Sequence, residues 1–243
     1  MNENNEFEKN EQEEMFENVN DTFETINNSD NGKKKKEFNL AHEIFEWVYT
    51  IAIALLIAFV IKGFLFDIVQ VDGPSMFPTL VDGDRLIITK LGYKPEAGDI
   101  VILDSTYKNR LHYYEETASD SNQTPNWLYK MTHYLSLPKE YKTVYYVKRV
   151  IATEGQTVDI RDGKVYIDDQ LLDEPYYEGI TNVMDATVTF PLTVDEGYVF
   201  VMGDNRPNSL DSRSSHLGLV PKEAVVGKSQ FRVWPLTEIG PTR

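Results

Sequence analysis

Val144-Tyr145-Tyr146-Val147-Lys148-Arg149-Val150-Ile151 is the stretch on which the reading of this chain turns. β-Branched and aromatic residues dominate it, and such side chains fit a pleated, half-buried surface. Alternation along a strand places Val144, Tyr146, Lys148 and Val150 on one face. A lysine among apolar neighbours loses hydration, and its pKa falls from about 10.4. Neutral, it can take a proton from a hydroxyl. Arg149 points the other way and stays charged. Taken alone, Lys148 is equally readable as an edge lysine that snorkels to solvent.

Similar runs surround this one. Residues 66–71, 85–90, 99–103, 144–152, 157–161, 164–168, 187–190, 198–202 and 229–234 read as strands, separated by Gly, Asp and Pro. Nine short strands with no clear helix between them predict a mostly β domain, a sandwich or barrel-like core. Arg161-Asp162-Gly163-Lys164 carries a hairpin turn signal. Residues 105–142 break the rhythm and carry six tyrosines and Trp127. A structureless loop of that length is unusual, so an insertion is expected, with a short helix near residues 127–134. An aromatic belt beside lipid and ordinary surface packing explain its composition equally well.

The chain has 243 residues, a formal charge of -15 and no cysteine. Without cysteine there is no thiol catalysis, disulfide or Cys-ligated zinc. The acidic balance opposes nucleic acid as a partner. Residues 1–32 hold a net charge of -9, residues 33–36 are four lysines, and the remainder carries -10. The acidic segment lacks the apolar groups to offset the entropy of ordering, so residues 1–40 are expected to be a disordered tail ending in a basic stop.

Residues 47–61 are uncharged, and counting on to Phe66 gives 20 residues with Lys62 as the sole charge, enough to span a bilayer as a helix. Trp47 and Tyr49 mark one boundary, and the run shows no polar face. A single transmembrane helix over residues 41–66 is expected, with the lysines keeping the N-terminus cytoplasmic and residues 67–243 outside. No small-x-small cleavage site follows, so the segment reads as a retained anchor in the lipid bilayer.

Two further segments could carry chemistry. In Val71-Asp72-Gly73-Pro74-Ser75-Met76-Phe77-Pro78-Thr79-Leu80, Gly73, Pro74 and Pro78 fix the turn around Ser75. A strictly placed serine suits nucleophilic attack, and a plain turn serine is the simpler account. Gly203-Asp204-Asn205-Arg206-Pro207-Asn208-Ser209-Leu210-Asp211-Ser212-Arg213 follows an apolar strand and looks like a loop that locks a site, or a polar loop with internal ion pairs. The four histidines lie in no recognisable setting for a Ser-His-Asp triad.

Together these three segments resemble type I signal peptidases of the Gram-positive kind, over about 200 residues and in the family's order. The resemblance implies a signal-peptidase-like β domain behind one membrane helix. It also implies a serine endopeptidase without metal or cofactor, which removes signal peptides from exported preproteins at the outer face of the membrane. By that resemblance Ser75 is the nucleophile, Lys148 the general base, and Ser209 the serine that orients the lysine amine. Asp204 with Arg149 and Asp211 with Arg213 are structural ion pairs, and Met76, Leu80, Tyr146 and Val147 line pockets for small side chains at the first and third positions before the cut. The Ser75 N–H is the evident oxyanion donor; Gly73 stands where some members supply a second, a hydroxyl. The family's Gly-x-Pro-Gly-Asp turn is here Ala152-Thr153-Glu154-Gly155-Gln156, and the insert lengthens the Ser75 to Lys148 separation to 73 residues. Self-cleaving repressors share a related dyad but carry a DNA-binding head, which the tail and apolar run oppose. A catalytically silent membrane-anchored peptide binder is the alternative of another class.

Overall fold

The computed structural model describes residues 40–120 and 124–242. The tail expected over residues 1–39 lies outside them. The chain divides into two units, the first ending at Leu55.

Helix α1 (Leu40–Val60) is followed by a π-helical turn, Ile61–Leu65, and strand β1 (Phe66–Gln70). The side chains of Ile44, Trp47, Ile51, Leu55 and Phe59 are exposed. Helical backbone runs on through the π turn to Leu65, and the strand begins at Phe66: Leu65 accepts a hydrogen bond from the Lys90 N–H, and Phe66 pairs with Thr89. Among the described residues no helix is long and apolar enough to cross a membrane.

The second unit is mostly β, and its strands are β2 (Arg85–Thr89), β3 (Ile100–Asp104), β4 (Tyr145–Thr153), β5 (Thr157–Arg161), β6 (Lys164–Ile167), β7 (Gln170–Leu171), β8 (Leu192–Thr193), β9 (Tyr198–Met202), β10 (Val220–Pro221), β11 (Val225–Trp234) and β12 (Gly240–Pro241). The larger sheet runs β1-β2-β11-β3-β4-β9-β10 with β12 on β11, the smaller β7-β6-β5-β8, and every pairing is antiparallel. Strand β3 is buried on both faces. Ile100 and Ile102 pack with Val71, Met76, Leu80, Leu86 and Ile88, while Val101 and Leu103 pack with Val150, Val199 and Val201. The first of these cores carries the Ser75 turn. A third core, with Ile151, Val158, Val165, Phe200 and Met202 in it, joins residues of the two sheets.

Two expectations fail. Residues 187–190 form a turn instead of a strand, because the Asp185 carboxylate accepts from the N–H and hydroxyl of Thr187 and from Ser215, and the Val188 N–H bonds the Asp185 carbonyl. Local side-chain bonds of this kind compete with a ladder. The insert holds two helices, α2 (Tyr107–Asp120) and α3 (Trp127–His133), where only the second was expected. Tyr107, Leu111, Tyr114 and Ala118 recur at helical spacing, and Tyr114 and Ala118 join Tyr129 and Leu137 in a small core of the insert's own. The departed turn after β4 closes by another route: Gln156 Oε1 accepts from the Thr153 N–H, and Gly155 adopts φ +80°.

Candidate active site

Ser75 follows β1 in a tight turn. The Phe77 N–H donates to the Pro74 carbonyl, Leu80 N–H to Met76, and Gly73 N–H to the Asp82 carboxylate. The loop after β9 grips this turn from the other side. Asn205 donates its backbone N–H to the Ser75 carbonyl at 3.1 Å and its side-chain amide to Pro74 at 3.0 Å. Gly203 must be glycine for the same reason: a Cβ there would sit 2.4 Å from the Ser75 carbonyl oxygen and 2.3 Å from Ser209 Oγ.

Lys148 donates to Ser75 Oγ at 2.9 Å and to the Val147 carbonyl at 2.9 Å. Only 3% of its surface is exposed, and Tyr146 presents its ring 5.2 Å from Nζ. Burial lowers the lysine pKa from 10.5 to about 8, against the pull of Asp211 and Asp204, which favour the charged form. Both carboxylates are held by arginines, which limits that pull. Arg149 forks onto Asp204 at 2.8 and 2.7 Å, and Arg213 onto Asp211 at 2.8 and 2.8 Å. Thr79 also donates to Asp204 and the Gly203 N–H to Asp211, so the ion pairs are wired into the serine turn and the end of β9.

A cleft of about 320 Å³ opens on this pair, lined by Val69, Val71, Ile102, Tyr145, Tyr146 and Val147 among others. Of the four residues assigned to pockets by resemblance, Tyr146 and Val147 line it. Met76 and Leu80 are fully buried in the core beneath the turn, where they fix the Ser75 backbone. Ser209 is buried beside Gly203, and its hydroxyl makes no hydrogen bond among the described residues; the bond to the lysine amine implied by resemblance is not formed. His112 faces Glu116 and His133 the Tyr129 carbonyl, so neither serves Ser75.

Sequence reasoning left Arg206 without a role. Its buried guanidinium bonds Glu174, Thr181 and the Gly203 carbonyl, tying the connection between β7 and β8 to the site loop. Val69, Val71 and Ile102 were missed as cleft residues because they read as ordinary strand positions. Asn205 was legible only as one polar residue among many.

The family model described as Signal peptidase, peptidase S26 matches residues 44–234. The chain belongs to this signal peptidase family. A signal peptidase I of Bacillus licheniformis is 38% identical over 218 residues, 86% of this chain and 98% of that one. Signal peptidase I T of Bacillus subtilis (strain 168) is 34% identical, covering 91% of this chain and all of its own, and signal peptidase IB of Staphylococcus aureus (strain COL) is 30% identical, covering 81% and 92%. A crystal structure of a signal peptidase I from Enterococcus faecalis V583 overlays with a TM-score of 0.36 at 28% identity, covering 56% of this chain and 97% of that one, too loosely to bear on the fold. As a family member the chain is a hydrolase, a serine endopeptidase that removes signal peptides.

Proposed function

We propose that this signal peptidase works through a Ser75/Lys148 dyad, cutting exported preproteins after small residues at the first and third positions before the scissile bond, from a domain tethered to the bilayer by its N-terminal apolar segment. The 2.9 Å bond between a buried lysine and Ser75 Oγ carries this reading. Neutral Lys148 takes the hydroxyl proton as Ser75 attacks the peptide carbonyl, then delivers it to the leaving amine. Water next attacks the acyl-serine, Lys148 taking its proton and returning it to Ser75. The Ser75 N–H, which has no acceptor among the described residues, is the proposed donor to the oxyanion.

Substrate binds as an added strand. Among the described residues strand β1 pairs only with β2, and the ladder between β4 and β9 begins at Arg149, so residues 145–148 have no strand neighbour on that side there. Both free edges border the cleft. Main-chain bonds supply affinity, and alternate side chains enter shallow apolar hollows beside Val69, Val71 and Val147, where a large residue meets the packed core.

The test is cleavage of a preprotein in lipid vesicles by the full chain and by Ser75→Ala and Lys148→Ala. Both variants are expected to lose activity by at least a thousandfold, and full activity in Lys148→Ala would remove the lysine from the mechanism.

A further inference from the structure

The mechanism leaves the insert unused, and its exposed surface is not that of an ordinary helix pair. Helix α3 buries Tyr129 against Tyr114 and stacks His133 on Tyr129. At 100° per residue, Trp127, Leu128 and Met131 fall within an arc of about 100° on the other side, and Tyr134 and Leu135 follow in the turn that ends the helix. All five are exposed, Trp127 to 73% and Leu135 to 87%. The helix therefore has two apolar faces, one inside the insert and one turned to solvent.

Charge indicates what covers the second face. Residues 124–144 carry Lys130, Lys139 and Lys142 against Glu140 alone, in a chain whose net charge is -15. Among the described residues the ion pairs of the insert are Arg110 with Asp104 and His112 with Glu116, which leaves the three lysines unpaired. An apolar stripe with an indole and a phenol, flanked by lysines, is the composition of a helix lying in a lipid interface. The stripe leads to the cleft as well: the Tyr134 hydroxyl meets Thr143, two residues before Tyr145, which is exposed and lines the cleft.

We propose that this face of α3 docks on a bilayer surface rich in anionic headgroups and so holds the mouth of the cleft against the membrane. The proposal rests on the tethered-peptidase reading above. A tether keeps the local concentration of lipid high, so a small patch of weak intrinsic affinity suffices. Each lysine near an anionic surface strengthens the contact about fivefold. An apolar signal segment then reaches Ser75 with little of its length drawn through water.

The test uses the full chain with Trp47→Phe and Trp234→Phe, which leaves Trp127 as the sole indole. Reconstituted in vesicles of brominated phosphatidylglycerol, Trp127 fluorescence is expected to be quenched by half or more, with markedly less quenching in brominated phosphatidylcholine. Quenching by aqueous iodide in both lipids would overturn the proposal, as would equal quenching by both brominated lipids. Emission that responds only when a preprotein is added assigns the face to the substrate, and also overturns it. In the same vesicles, Leu128→Ser with Met131→Ser and Leu135→Ser is expected to lower cleavage of an embedded preprotein severalfold while a short soluble peptide is cut at the parent rate. Absence of any cleavage would instead sink the peptidase reading, which the Trp127 signal does not depend on.

Discussion

Lys148 is costly to keep where it is. Folding lowers its pKa from 10.5 to about 8, so between those values the unfolded chain holds a proton that the folded chain has released. Stability from this group therefore rises as pH climbs from 8 to 10.5, by about 3 kcal/mol in all, and below pH 8 the full penalty applies. Lys148→Met is expected to be inactive yet more stable than the parent at pH 7 by about 2 kcal/mol, with the gap closing towards pH 10; urea melts across that range measure it. In the proposed mechanism activity follows the same titration. The rate constant kcat/KM on a soluble peptide should rise with pH through an apparent pKa near 8 and level off above it. A profile still climbing at pH 10 would mean that burial does not govern the amine. Ser209 shows the limit of residue-by-residue transfer: the residue is only 2% exposed and its hydroxyl makes no bond among the described residues, so the lysine amine is oriented by Ser75 and Val147.

Among elements, the loop after β9 matters most, because it holds the serine turn from behind. The Cβ of Gly203→Ala would enter the space of the Ser75 carbonyl. That substitution is expected to lower kcat by more than tenfold and stability by about 2 kcal/mol, read by peptide cleavage and thermal melting. The same loop is fastened to the connection between β7 and β8 at four points, Arg206 to Glu174 and to Thr181, Arg213 to the Asn182 carbonyl and Ser215 to Asp185. Arg206 is fully buried, so Glu174→Gln strands a charge in the interior and is expected to destabilise by about 3 kcal/mol. A loss under 1 kcal/mol in a urea melt would show that Thr181 and the Gly203 carbonyl suffice. The run of charges from Asp204 to Arg213 was readable as a locking loop, and the pairings of Arg149 and Arg213 implied by resemblance are the ones made. The partner of Arg206 was not readable, since Glu174 lies 32 positions away in a segment without pattern.

At the scale of the molecule, the insert carries a small core of its own beside the larger sheet. The Ser105 N–H donates to the Val144 carbonyl across the neck of the insert, so a two-residue Asn-Gly turn can join these residues as a hairpin. Replacing residues 106–143 in this way is expected to preserve soluble-peptide cleavage within about threefold and to lower Tm by about 10 degrees, since Tyr107 leaves the core, Lys108 no longer bonds the Leu217 and Leu219 carbonyls and the buried Asp104 carboxylate loses Arg110 and Thr106. Loss of the fold would show that the insert is part of the sheet's foundation. The sequence by itself determined the strand-rich domain, the apolar N-terminal run and the candidate pair Ser75 and Lys148, because period-two alternation, solid hydrophobicity and turn-fixing glycine and proline are local signals. Tertiary structure decided the rest. Only folding brings residues 73 apart to a 2.9 Å bond, turns Met76 and Leu80 into the floor beneath Ser75, frees the two strand edges that border the cleft, and leaves the apolar side chains at one side of α3 uncovered. Burial and pairing are properties of a chain packed against itself, and no local pattern specifies which surface meets which.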